Sequence, residues 1–197
     1  MFSAIEYEPQ GLFYKENYLL QKEHDELFNL LQNNFPWDNQ PQRREVKQYG
    51  QIYSYRKQKF EEIYEPIPDW LQNYTKRLVR DKIFETEPNQ IIINKYRQTG
   101  IRNWSIPPHI DSAELFGKVI ASITLGNSCT VEFCKAYHEH DAEIIKILTV
   151  QPKSLYFMTG ESRYNYYHRI PDKKYNKRID PKSQENVRIS LTFRNVI

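Results

Sequence analysis

The spacing of apolar residues changes near residue 88. Before it, the apolar positions repeat at helical intervals. Over residues 19–33, Leu20, Leu27, Leu31 and Phe35 fall near one helical face, with Phe28 and Leu30 at its flanks, and Pro36 ends the run. A second helix is predicted over Asp69–Arg80, where Asp69 serves as N-cap and Trp70, Tyr74 and Leu78 recur every four residues. Residues 37–60 between them form a polar, basic, aromatic stretch. Beyond residue 88 the period falls to two. Strands are predicted at 90–96, 117–125, 130–134, 143–149, 154–158 and 187–194. Short strands with turn-like breaks and no intervening helices describe an antiparallel sandwich or barrel. The plan is α+β and mainly β: N-terminal helices packed on one sheet of a β jelly roll. One domain over 1–197 is expected, with an N-terminal part to about 88 and the sheet core over about 89–197.

The last strand separates its residues most sharply. In Arg188-Ile189-Ser190-Leu191-Thr192-Phe193-Arg194, alternation puts Ile189, Leu191 and Phe193 on one face. The other face carries Arg188, Ser190, Thr192 and Arg194. Two readings stand at this point: an edge strand with a wet face, or the wall of a cavity that holds a carboxylate.

Composition narrows the class. Tyr 15, Phe 10 and Trp 3 in 197 residues are more aromatics than a disordered chain carries. No apolar run reaches the ~18–20 residues of a membrane span, and Met-Phe-Ser-Ala-Ile-Glu-Tyr-Glu-Pro has no basic or apolar leader region. Cys129 and Cys134 cannot build a disulfide framework and lack the spacing of a zinc pair, so free thiols in a reducing, intracellular compartment (cytoplasmic or nuclear) are expected. None of the six glycines falls in a dinucleotide or P-loop spacing. The net charge of +3 is too small to prove a nucleic-acid partner.

His109-Ile110-Asp111 places two metal-capable side chains at i and i+2, on one side of an extended segment. His168 follows Asp111 by 57 residues, after the aromatic run Tyr164-Asn165-Tyr166-Tyr167. Two histidines and a carboxylate on one face of an iron, with the other face open, make the facial triad of non-haem Fe(II) oxygenases. By itself an HxD pair is weak, and a solvated loop histidine is its commoner explanation. Asn94 and Tyr96 share one face of the 90–96 strand, and Arg188 follows His168 by 20 residues. Together they match a dicarboxylate site, the Arg bidentate to the far carboxylate. His138 and His140 read as an exposed turn, and His24 as a boundary residue of the first helix.

These strings, in this order, resemble the AlkB family of Fe(II)/2-oxoglutarate dioxygenases. The matching segments are Asn94-Lys95-Tyr96, Pro107-Pro108-His109-Ile110-Asp111, Ser122-Ile123-Thr124-Leu125-Gly126, Met158-Thr159-Gly160-Glu161-Ser162-Arg163-Tyr164 leading to His168, and Arg188-Ile189-Ser190-Leu191-Thr192-Phe193-Arg194. P-P-H-I-D and T-G-E-S-R-Y are most similar to the eukaryotic branch that includes the tRNA wobble-uridine hydroxylase. The resemblance implies a double-stranded β-helix and an iron held by His109, Asp111 and His168. It implies 2-oxoglutarate held by Arg188 with Asn94 and Tyr96, and Arg194 near the metal-proximal end of that cosubstrate. O₂ is the second cosubstrate; succinate and CO₂ are products. The chain departs from the family at Arg169, where glycine is usual, at Tyr166, often tryptophan, and in the extra residues Ile101–Trp104.

The implied substrate is nucleic acid, RNA or tRNA ahead of single-stranded DNA, hydroxylated or demethylated at a nucleobase by a monomer. In relatives the region upstream of the core forms a nucleotide lid. Here residues 42–59 carry Arg43, Arg44, Lys47, Arg56, Lys57 and Lys59 against Glu45, interleaved with Tyr49, Tyr53 and Tyr55. Basic groups on phosphates with aromatics stacked on bases is a common single-strand binding pattern. Arg43, Arg44, Lys47, Tyr49, Tyr53 and Tyr55 are therefore the nucleic-acid candidates. The basic stretch 171–186 reads equally as a solvated loop. A protein or lipid hydroxylase, or a catalytically silent RNA-binding module, are the rival readings.

Overall fold

The computed structural model describes residues 3–33, 35–38, 44–54, 56–97, 105–135, 143–171 and 187–197. Twelve strands and three helices are seen among them. The helices are α1 (Gln21–Gln32), α2 (Asp69–Arg80) and the short α3 (Gly160–Tyr164). In chain order the strands are β1 (Ile5–Tyr7), β2 (Leu12–Lys15), β3 (Glu45–Ser54), β4 (Lys59–Glu65), β5 (Gln90–Arg97) and β6 (Ile106–His109). They continue as β7 (Phe116–Gly126), β8 (Cys129–Cys134), β9 (Ile144–Val150), β10 (Leu155–Met158), β11 (Tyr167–Ile170) and β12 (Val187–Val196). They form two antiparallel sheets, ordered β1-β2-β10-β7-β12-β5-β3-β4 and β6-β11-β8-β9. This is the jelly roll expected. Among the described residues no helix is long and apolar enough to cross a membrane.

Alternation on the central strands divides the core in two. Ile91 and Ile93 of β5, Ile123 and Leu125 of β7, and Ile189, Leu191 and Phe193 of β12 point outward from the larger sheet. Leu27 and Leu31 of α1 and Leu71 and Leu78 of α2 cover them, so the helices dock on one sheet. The opposite face looks toward the smaller sheet, where Phe116, Ile120, Val131, Phe133, Leu148 and Ile170 pack. The functional groups lie in this second layer.

Three readings need correction. β12 is not an edge strand: it lies between β5 and β7, and its polar face is buried. Asp69 is the first helical residue of α2, and Pro68 takes the cap position; the carboxylate still favours the positive helix end. The stretch before residue 88 supplies four strands of the larger sheet as well as helices. β1 and β2 were missed because three- and four-residue strands are too short to show a period. β6 and β11 were missed because two prolines interrupt one and four residues hardly register in the other.

β3 changes face partway along. Gly50 has φ +80°, and a Cβ there would lie 1.9 Å from the Asn89 carbonyl oxygen, so only glycine fits. The ladder to β4 shifts register between Gln51 and Tyr53. Tyr49 consequently packs in the helix-side core, while Tyr53 packs in the layer between the sheets. Cys129 and Cys134 are buried and unbridged.

Leu191→Ala removes a side chain with no exposure at the centre of the helix-side core. It should cost ~2–5 kcal/mol of unfolding free energy, whereas Ile147→Ala, 57% exposed on β9, should stay within ~0.5 kcal/mol. Denaturant titration of both variants measures the difference.

Candidate active site

β6 and β11 are neighbours in the smaller sheet, and their register sets His109 directly opposite His168. The two imidazole centroids are 4.2 Å apart. Asp111 follows just beyond the end of β6, and the candidate ligand atoms of the three residues all lie within 4.8 Å of one another. His109 Nδ1 lies 3.0 Å from the Pro107 carbonyl oxygen. A carbonyl only accepts, so Nδ1 is the donor and the Nε2 lone pair is left for a metal.

The electrostatics suit cation binding. Burial pulls the Asp111 carboxyl upward, but Arg194 foremost, then His109, His168 and Arg163, outweigh it and hold its pKa at about 2. Burial, reinforced by His109, pushes the His168 imidazole from 6.5 down to about 3. At neutral pH the site therefore offers an ionised carboxylate beside a neutral His168, the protonation states that ligate metals.

Two arginines hold Asp111. Arg194 Nη1 donates to Asp111 Oδ1 at 2.9 Å, and its Nε donates to Gln90 Oε1 at 2.9 Å. Arg163 on α3 is 2% exposed and grips the segment after His109 by its backbone. It donates to the Asp111 carbonyl at 2.7 Å and to the Ser112, Phe116 and Gly117 carbonyls at 3.0, 3.3 and 3.4 Å. In the sequence Arg163 stands out only as part of T-G-E-S-R-Y. Its charge is spent on carbonyls 46 to 52 residues away, and no local pattern announces that.

The anion end lies on β5 and β12. Register pairs Arg188 with Tyr96 and Ser190 with Asn94, all four toward the smaller sheet. The Arg188 guanidinium is 5.3 Å above the Tyr96 ring, and its Nη2 donates to Thr124 Oγ1 at 3.3 Å. Its Nε and Nη1 are buried without a hydrogen-bond partner among the described residues, as is Asn94 Oδ1. A buried guanidinium with two open donors is an anion site, and its planar fork matches a carboxylate. Asn94, Tyr96, His109, Asp111, His168, Arg188 and Arg194 all line one cavity of about 730 Å³.

The basic, aromatic stretch behaves differently. Arg44 lines this cavity. Lys47 is ion-paired with Asp38 and Glu65 at 3.3 and 3.4 Å. Tyr49 packs edge-on against Trp70, and Tyr53 against Phe60 and Phe116. Both rings are buried, which corrects the expectation that they stack on bases: the bulge in β3 turns each into a core layer. Arg43, Tyr55, Ile101–Trp104, His138, His140 and nearly all of 171–186 lie outside the described residues. His24 is buried, and its Nε2 accepts from the Gly126 N–H at 3.1 Å.

Comparison with known proteins adds the following. Residues 10–194 match the family described as the 2OG-Fe(II) oxygenase superfamily. The chain is 34% identical over 152 residues to the uncharacterized protein L905 of Acanthamoeba polyphaga mimivirus, covering 75% of this chain and 69% of the relative. It is 24% identical over 176 residues to the Xenopus tropicalis tRNA (carboxymethyluridine(34)-5-O)-methyltransferase alkbh8, covering 85% of this chain but 26% of the relative. The chain thus spans about a quarter of that longer protein. A solved structure of OsALKBH1 superposes with TM-score 0.66 at 14% identity, over 98% of this chain and all of the other, and supports the fold.

Two outcomes are expected. Acid should destabilise the metal-free protein in steps. The unfolded chain takes up a proton at His168 below its ordinary 6.5, which the folded state refuses until about 3, so stability falls through that window. Asp111 adds a loss only between 3.8 and about 2. Thermal melting from pH 7.5 to 4 should show the decline, and His168→Gln should flatten it; an equal slope in the variant rules His168 out. Arg163→Lys cannot span four carbonyls. It should weaken divalent-metal binding by ~10–100-fold, read by calorimetric titration of the metal-free protein.

Proposed function

The chain belongs to the 2OG-Fe(II) oxygenase superfamily, and on that premise we propose that it oxidises a nucleobase in nucleic acid, RNA ahead of DNA. The oxidation chemistry in this reading is carried by one observation. A buried arginine with two open donors, Arg188, lines the same cavity as the cluster of His109, Asp111 and His168.

His109 through Nε2, Asp111 and His168 would hold Fe(II) on one side, leaving the cavity side for cosubstrates. Arg188 would take the distal carboxylate of 2-oxoglutarate in a bidentate pair, with Asn94 and Tyr96 beside it as hydrogen-bond partners. Arg194 would stay on Asp111, near the metal-proximal end. When bound, iron, 2-oxoglutarate and O₂ together supply the oxidation: the cosubstrate leaves as succinate and CO₂, and an oxygen atom enters a substrate C–H bond. The remaining task of this chain is placement. Ile92, Ile120, Val131 and Met158 give the cavity apolar walls that exclude water. His109 keeps its tautomer through Pro107, and Arg163 keeps Asp111 within reach. Where the attacked carbon sits on a base nitrogen, the hydroxylated product can collapse and release formaldehyde. Where it does not, the hydroxyl group stays.

The nucleic-acid reading rests on the tRNA activity that the name of the Xenopus tropicalis relative states, and on Arg44 at the cavity wall. A base must leave its stack to enter a cavity of this kind. The volume is within the roughly 300–1,000 Å³ of small-molecule sites. With Tyr49 and Tyr53 buried and Lys47 ion-paired with Asp38 and Glu65, the contact reduces to charge at Arg44 beside the cavity, so binding should weaken as salt rises.

Arg188→Ala should raise the apparent 2-oxoglutarate constant by ~30- to several-thousand-fold, the scale of a lost charge-assisted pair, in an assay of succinate release. Arg44→Glu should weaken tRNA binding and lower the log–log salt slope by about one in a gel-shift titration. An unchanged cosubstrate constant would refute the Arg188 assignment. Negligible affinity of the parent protein for both tRNA and single-stranded DNA would turn the substrate reading to a protein or lipid hydroxylase.

A further inference from the structure

A buried chain of amides runs from the β3–β4 hairpin to Asp111. Tyr53 N–H donates to Gln48 Oε1 at 3.0 Å, and Gln48 Nε2 donates to the Tyr53 carbonyl at 2.9 Å. Gln90 Nε2 donates to Gln48 Oε1 at 3.2 Å. Arg194 Nε donates to Gln90 Oε1 at 2.9 Å, and Arg194 Nη1 to Asp111 Oδ1 at 2.9 Å. Gln48, Gln90 and Arg194 are 9%, 0% and 1% exposed.

The polarity of this chain has one solution. A backbone has one N–H and one C=O, so Tyr53 fixes which end of the Gln48 amide is oxygen. That oxygen must accept from Gln90, which turns the Gln90 oxygen toward Arg194. Arg194 then presents Nη1 to Asp111. A parallel apolar line reinforces it: the Tyr53 and Phe116 ring centroids are 5.4 Å apart, and the Arg194 guanidinium lies 4.0 Å from the Phe116 centroid. Gln48 and Gln90 do not line the cavity, so neither touches a ligand there. Two buried glutamines in a core layer are costly unless paired, and among the described residues these two side chains are paired along this line.

We propose that Gln48 and Gln90 are positioning residues that transmit the placement of the β3–β4 hairpin to the metal-binding carboxylate. Arg194 holds one oxygen of Asp111 and leaves the other for the ion. A hairpin in its closed place orients Arg194, and a hairpin displaced at Tyr53 releases it. Arg44 leads into the same hairpin and lines the cavity, so an occupant of the cavity bears on one end of the chain and the metal on the other. Linkage requires the converse effect: metal at Asp111 stabilises the closed hairpin by the factor that the closed hairpin tightens metal.

The inference rests on the metal reading of His109, Asp111 and His168, and its test separates the two. The probe is Co(II) alone, titrated into the metal-free full chain by calorimetry, with amide hydrogen exchange at Tyr53 as the second readout. The parent should bind Co(II), and the ion should slow Tyr53 exchange by about tenfold. Gln90→Leu should weaken Co(II) binding by about tenfold and abolish the slowing. Gln48→Met, which keeps the volume and removes the bonds to both Tyr53 and Gln90, should weaken Co(II) binding in the same direction and carries the test if Gln90→Leu does not fold. Because both act through one chain, the double variant should bind no more weakly than the weaker single. Folded variants that bind Co(II) like the parent, factors that multiply in the double variant, or Tyr53 exchange indifferent to Co(II) in the parent would each overturn the proposal. A parent that binds no Co(II) would overturn the metal reading, and this inference with it.

Discussion

Arg194 and Asp111 meet at 2.9 Å, the guanidinium buried and the carboxylate largely so at the cavity wall. A buried charge is tolerable only when it is matched and its remaining hydrogen-bonding groups are filled. Much of the site follows from that condition. Asp111 is held ionised beside the two imidazoles because Arg194 outweighs the penalty of burial. Gln90 lies under Arg194 because its Nε needs an acceptor. Arg163 can be buried because four carbonyls of the segment after His109 receive it, and that fixes the segment carrying Asp111.

Arg188 is the contrasting case on the same strand. It sits six residues before Arg194, on the same face, and is equally buried. Yet its Nε and Nη1 find no partner among the described residues. The same strand thus presents one guanidinium neutralised by a residue of the chain and one open to an anionic ligand. Tyr96 and Thr124 hold the second in orientation without using up its charge. The two ends of the cavity are therefore chemically distinct, one carrying an ionised carboxylate beside two imidazoles and the other a guanidinium with open donors.

Stability and function are separated by the two faces of the larger sheet. The outward face carries isoleucine and leucine under α1 and α2 and contributes ordinary hydrophobic burial. The inward face carries the polar groups, whose desolvation that burial must offset. β12 belongs to both: Leu191 is in the apolar core, while Ser190 and Thr192 on either side of it line the cavity. A sheet of eight strands makes this division workable, because the central strands are supported on both sides and hold their registers against the cost of burying charge.

What the sequence determined by itself is what alternation and order in the chain can encode. The two-faced pattern of residues 188–194, the Asn94–Tyr96 pair and the His109–Asp111 pair are local, and each was legible because side chains in a strand alternate strictly. The helix over Asp69–Arg80 and the central strands were legible because they are long enough to show a period. The tertiary structure decided the rest. Only the register of β6 against β11 brings His168 across from His109, and only pairing with both β5 and β7 makes β12 central rather than an edge. Within 42–59, Tyr49 and Tyr53 were not legible for a definite reason: Gly50 and the register shift beyond it turn Tyr53 to the opposite face from Tyr49, and each ring is buried in a core layer. The roles of Arg163 and Gln90 left no mark in the sequence, because their partners are long-range. An arginine whose charge goes to backbone carbonyls, and a glutamine whose amide fills a place between two other side chains, are defined by contacts that no spacing along the chain records.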